Sequence, residues 1–115
     1  MPSPPLVPDS GPIDFAHLQR MTLGNDSLER EVLGMFSAQS SRLLEALASL
    51  PADSAALAHT LKGSALAIGA FAVADAAADL ETQIRIDGDT TAALVELEAA
   101  VAQACAAIDM MLRRA

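Results

Sequence analysis

Aromatic side chains are almost missing from this chain: it has three Phe and neither Trp nor Tyr. The apolar fraction, 52% of the sequence, is mostly Ala, Leu, Val and Ile. Sheets draw on aromatic and β-branched residues, whereas Ala and Leu are the best helix formers, so the composition predicts closely packed helices. Cysteine is reduced to Cys105 alone, which excludes an intramolecular disulfide and fits a reducing compartment. Histidine occurs only at positions 17 and 59, and neither HExxH nor CxxC spacing is present, so a metal site is nearly excluded. GxGxxG and GxxxxGK[ST] are also absent, leaving no recognisable nucleotide-binding loop. No strand-to-helix nucleophile elbow accompanies the histidines, which argues against a Ser-His-Asp hydrolase.

Positive charge is scarce as well. Seven Lys and Arg stand against fifteen Asp and Glu, a net charge of −8, and none of the seven falls in a stripe. Nucleic acid and anionic lipid are therefore disfavoured partners. The longest apolar run, Ala65 to Ala74, stops at Asp75 and is about half of what a membrane span needs. Met1-Pro2-Ser3-Pro4-Pro5 lacks the basic-then-apolar pattern of a signal peptide, so a cytoplasmic location without membrane attachment is expected. All but one of the six prolines lie in residues 1–12, which predicts a flexible leader followed by a single domain over 13–115.

What is present is helical periodicity. Asp14 can cap a short helix with Phe15, Leu18 and Met21 on its apolar side, ending near Leu23-Gly24. Asn25 or Asp26 can cap a long second helix whose apolar face runs Leu28, Val32, Met35/Phe36, Leu43, Leu47 and Leu50, interrupted by Gln39 and closed by Pro51. Asp53 or Ser54 caps a third helix ending near Gly69-Ala70, and a fourth runs from Phe71 to about Ile86. Asp87-Gly88-Asp89 is a turn, after which Asp89 or Thr90 caps a last helix with the stripe Leu94, Leu97, Val101, Ala104, Ile108 and Met111. Arg113 and Arg114 suit its C-terminal dipole. Short connections predict an all-α, antiparallel up-down-up-down four-helix bundle with a short additional N-terminal helix. The alternative is an all-helical subunit that completes its core by dimerising.

The third helix carries the chemistry. Leu57, Leu61, Ser64/Ala65 and Ile68 form its small or apolar stripe, and His59 lies about 160° from both Leu57 and Leu61, pointing away from it. Lys62 and Gly63 follow one turn later on the side of the imidazole. An unperturbed imidazole, with a pKa of roughly 6.5, keeps a nucleophilic ring nitrogen near pH 7. A phosphoryl group attached there would bring nearly two negative charges, which Lys62 could offset, while Gly63 would leave space for a partner's active site.

The string Ala58-His59-Thr60-Leu61-Lys62-Gly63-Ser64-Ala65, with Ile68-Gly69-Ala70 after it, resembles the signature of histidine-containing phosphotransfer (HPt) domains of two-component phosphorelays. Leu80-Glu81 and the Gly88-Asp89 turn extend the resemblance, and the helix pattern suits it over nearly the whole chain. The resemblance implies that His59 is phosphorylated on Nε2, that Lys62 lies near the phosphoryl group and that Gly63 is the small residue beside the histidine. It further implies that Ser64 supports local hydrogen bonding, that Gly69 permits close packing and that Glu81 lies near the histidine from the next helix. The implied partners are response-regulator receiver domains, or the receiver of a hybrid histidine kinase. Those receivers would supply Mg²⁺ and most of the chemistry, and this chain would need no cofactor or metal of its own.

The expected protein is thus a monomeric phosphoryl carrier without kinase activity, its docking face formed by Ala55, Leu66 and Ala70. Ala52 and Ala56 would keep that face low, and Met35 and Gln39 would border it. Beside this stand two other readings, a degenerate bundle that binds a receiver without carrying phosphate and the helical bundle of a dimeric kinase. Taken singly, His59 is an ordinary surface histidine and Glu81 an ordinary helix glutamate; Cys105 reads as a small buried residue and His17 as structural. Gly63 and Gly69 are less easily dismissed, since each costs about 1 kcal/mol relative to Ala inside a helix.

Overall fold

Short polar side chains decide where most of the helices begin. In the computed structural model, which describes residues 11–113, Asp14 is extended and its Oδ1 accepts from the His17 backbone N–H at 3.1 Å, opening α1 (Phe15–Met21). Asn25 does the same for Leu28 at 2.9 Å and opens α2 (Asp26–Leu47), with Asp26 and Glu29 in the positive first turn. At α3 (Ser54–Ile68) the Asp53 side chain makes no capping bond; the Ser54 hydroxyl instead donates to the Pro51 carbonyl at 2.6 Å. After α4 (Phe71–Arg85), Asp89 accepts from the Ala92 N–H at 3.0 Å at the start of α5 (Thr90–Arg113). No described residue lies in a strand. The expected leader falls outside the described residues except for 11 and 12, and so does Arg114.

The principal helix contacts are α2 with α3, α3 with α4, α4 with α5, and α5 back with α2, so the four long helices close a ring around one core. That core is built from Leu33 and Phe36 on α2, Leu61 and Ala65 on α3, Ala77 and Leu80 on α4, and Leu97, Val101 and Ile108 on α5, with alanines between them. The many buried alanines let the backbones approach closely while Leu and Ile fill the layers between.

Gly69 makes the tightest joint. It ends α3 in the left-handed conformation, φ +85°, and donates its N–H to the Leu66 carbonyl, so α4 starts two residues later. A Cβ on Gly69 would meet the Asp14 carbonyl oxygen at 2.9 Å and His17 Cδ2 at 3.3 Å. The close packing expected at Gly69 is therefore against the entry to α1, where the Asp14 N–H also donates to the Gly69 carbonyl at 2.9 Å.

Two apolar faces differ from the sequence reading. On α1 only Leu18 is buried; Phe15 and Met21 are exposed, and Ile13, just ahead of the cap, takes their place in the core. On α2 the buried positions are Leu33, Phe36, Ser40 and Leu47, while Leu28 and Met35 are exposed. Two stripes one residue apart share Phe36 and Leu47, and hydropathy alone favours the one without a serine. Ser40 is tolerated in the core because its hydroxyl donates to the Ser37 carbonyl at 3.1 Å and lies 3.7 Å from the sulfur of half-buried Cys105. Leu50 is outside the helix altogether, at φ +45°, two residues past the Ala48 C-cap and just ahead of Pro51.

The most apolar long helix is α5, although its apolar residues do not form one unbroken run. With 24 residues and a mean hydropathy of 1.5 over its most apolar window, it is long and apolar enough to cross a membrane by length and composition. Glu96, Glu98 and Asp109 break the run. Here α5 commits Ala93, Leu97, Val101, Ala104 and Ile108 to the core of the bundle.

Candidate functional site

The periodicity that buries Ala58, Leu61, Ala65 and Ile68 turns His59 outward, and its side chain is 66% exposed. His59 and Glu81 stand on either side of the 69–70 joint at almost equal sequence distance from it, and the packing of α4 against α3 brings them together. Glu81 reaches across from α4 with its side chain 12% exposed, and its Oε1 and Oε2 each lie 3.3 Å from His59 Nδ1. One turn further along α4, Arg85 Nη2 donates to Glu81 Oε2 at 2.8 Å. The Arg85 guanidinium above all, and His59 after it, hold the Glu81 carboxyl below the usual carboxylate range, although burial pushes the other way.

An ionised carboxylate can only accept, so the imidazole proton belongs on Nδ1. Nε2 then keeps its lone pair, and it has no hydrogen-bond partner among the described residues. This is a nucleophile presented to solvent.

Gly63, one turn beyond the ring, has nothing within 4 Å of where a Cβ would stand. Packing therefore does not require a glycine here, and the space it leaves is open. Lys62 is half-buried and has no ion-pair or hydrogen-bond partner among the described residues. Leu66, two turns beyond His59, is 42% exposed, and Ala55 is half-buried. Ala70 is fully buried, which corrects its expected place on a docking face: the left-handed turn at Gly69 folds it inward against the core. Ser64 makes no side-chain hydrogen bond among the described residues, contrary to the role the resemblance implied. It instead lines an open groove of about 420 Å³ between α2 and α3, together with Met35, Phe36, Gln39, Arg42 and Ile68. His17 lies at the far end of α3, its ring edge-on to Phe71 at 5.2 Å between centroids.

Arg85 was not singled out from the sequence. The available signal was its place four residues after Glu81, the favoured order for a helical acid–base pair. Among the described residues no group of three or more His, Cys, Asp or Glu is placed to hold a metal ion.

A family model for the Hpt domain matches residues 31–114, most of the sequence. The chain belongs to the Hpt domain family. Hpt domains carry a phosphoryl group on histidine in two-component phosphorelays, together with receiver domains and histidine kinases. The match takes in α3, α4 and nearly all of α2 and α5, whereas α1 precedes it. Comparison with curated proteins finds no match, and comparison with solved structures finds none either.

Proposed function

We propose that this Hpt domain relays a phosphoryl group between receiver aspartates through His59 Nε2. The observation that carries the reading is a solvent-facing Nε2 on a ring whose Nδ1 faces a carboxylate. In the forward step the Nε2 lone pair attacks the phosphorus of the receiver's aspartyl phosphate. The Nε2–P bond forms, the P–O bond to the aspartate breaks, and the carboxylate departs with the bonding electrons. The ring, still protonated on Nδ1, becomes cationic, and Glu81 offsets that charge. In the second step another receiver's aspartate attacks the phosphorus, the Nε2–P bond breaks with its electron pair returning to Nε2, and the ring leaves as neutral imidazole. Lys62 supplies the cation for the phosphoryl oxygens, and the clearance at Gly63 admits the receiver's active site.

The transfer chemistry beyond this nucleophile belongs to the receiver, including its Mg²⁺, so the domain acts as a carrier without kinase activity and without a cofactor of its own. Leu66 and Ala55 on α3, with Met35 and Gln39 bordering from α2, form the docking face of this reading. The antiparallel up-down-up-down order of the four long helices is part of it, supported by the closed ring of helix contacts and the short joints at 69–70 and 86–89. A cytoplasmic monomer completes the proposal.

A phosphorylated receiver with Mg²⁺ is expected to label the protein at one acid-labile site, and His59→Gln to abolish labelling with helicity unchanged. Persistent labelling of that variant would overturn the assignment. A module that merely binds receivers would never carry phosphate.

A further inference from the structure

Resting on that reading, we infer that Arg85 is a positioning residue for the transfer: its guanidinium holds the Glu81 carboxylate across from His59 Nδ1, and so keeps Nε2 as the free nitrogen. The contact lengths assign the order of control. Arg85 Nη2 meets Glu81 Oε2 at 2.8 Å, a charge-assisted hydrogen bond, whereas both carboxylate oxygens are 3.3 Å from Nδ1, long for an N–H···O bond. The short contact sets the rotamer and the long one follows from it.

No other group among the described residues bonds that carboxylate. Without Arg85, the only polar contact left to the carboxylate would be the ring that it is meant to orient. The pair has little purpose as a surface ion pair, since Arg85 is 64% exposed and such pairs contribute little to stability. What distinguishes it from an ordinary helical acid–base pair is that the acid is nearly buried and turned toward an imidazole on a neighbouring helix.

The consequence is a choice of tautomer. A free imidazole in water places its proton chiefly on Nε2, the nitrogen that must stay bare to attack phosphorus. A fixed carboxylate opposite Nδ1 reverses that preference. The same carboxylate then faces the cationic ring formed on transfer, so it serves both directions.

The test uses the full chain labelled with ¹⁵N-histidine, with His17 and His59 signals separated by means of His59→Gln. Long-range proton–nitrogen spectra of the neutral ring should show His59 mainly protonated on Nδ1. Arg85→Ala should raise the Nε2-protonated share until the two forms are comparable, and Arg85→Lys should restore the original distribution. Glu81→Ala should give the same change, with Arg85→Ala adding nothing in that background. Phosphoryl acceptance from a phosphorylated receiver should slow about threefold or more in Arg85→Ala at unchanged helicity. The inference is overturned if Arg85→Ala leaves the tautomers as they were, drives them further toward Nδ1, or has an effect that survives removal of Glu81. If the wild-type chain accepts no phosphoryl group, the relay reading fails, while the spectra still decide the part played by Arg85.

Discussion

At the scale of single residues, the outward face of α3 beside His59 is open. Gly63 is the plainest case. Nothing in the fold occupies the space above it, so Gly63→Ala is expected to stabilise the domain by about 1 kcal/mol through helix propensity, measured by chemical denaturation. Gly63→Met should fold equally well yet transfer poorly, because the added chain stands where a partner must approach. Separation of stability from transfer in these two variants distinguishes clearance from packing. Lys62→Ala should slow transfer by only a few-fold, since a charge pair that solvent still reaches is worth up to about 1 kcal/mol. Glu81 gives a pH dependence whose sign follows from its lowered carboxyl. The folded state favours the ionised form, so its contribution is complete above the ordinary value of 4.5 and is lost as pH falls through the lower native value. The difference in Tm between wild type and Glu81→Gln should therefore narrow on acidification and vanish once the native carboxyl is protonated. The shared placement of His59, Lys62 and Gly63 on α3 was legible in the sequence because helical spacing fixes it within one element. The link from Arg85 to His59 was not, because it runs through Glu81, whose contact with the ring crosses between helices.

Elements were read correctly where local chemistry terminates them. The caps at Asp14 and Asn25, the left-handed end at Gly69 and the turn at Asp87-Gly88-Asp89 each act within a few residues, so they survive any tertiary arrangement. Faces were harder. Two stripes on α2 differ by one residue, and a hydroxyl with a backbone acceptor at hand made the serine-bearing one acceptable in the core. Ile13 was overlooked because it precedes its helix, and its burial depends on α1 lying over the end of α3. The same arrangement yields a prediction. Gly69→Ala must adopt φ +85° with a methyl group 2.9 Å from the Asp14 carbonyl oxygen, and is expected to cost about 2 kcal/mol or more. Denaturation should report that loss, with amide exchange accelerated first at Asp14 and along α1. The Ala70 docking assignment failed for a related reason: motif position says nothing of which way a chain faces after a left-handed residue.

The whole molecule is a slender body, 49 × 29 × 19 Å, with a Cα radius of gyration of 14.7 Å against about 13 Å for a compact domain of similar length. Its least dimension is about two helix diameters, and His59 on the middle of α3 stands exposed at its surface. A bare nucleophile on such a surface is expected to depend on its partner for catalysis. Acetyl phosphate with Mg²⁺ should therefore label His59 far more slowly than a phosphorylated receiver at equal concentration, as followed by acid-labile phosphate. The bundle was legible in the composition, since an alanine- and leucine-rich chain with short joints has few other ways to cover its stripes. The slenderness was not, because it follows from helix lengths and ring closure together.

The two-residue joint at 69–70 also acts as a phase lock. One extra residue inserted there would change the direction in which α4 leaves α3, and with it the azimuth at which Glu81 meets the histidine helix. Every functional side chain would still be encoded, but the carboxylate and its guanidinium would be carried round to a different azimuth, leaving the imidazole without its counterpart. Loop length at this end of the molecule is thus as much a part of the site as any residue in it.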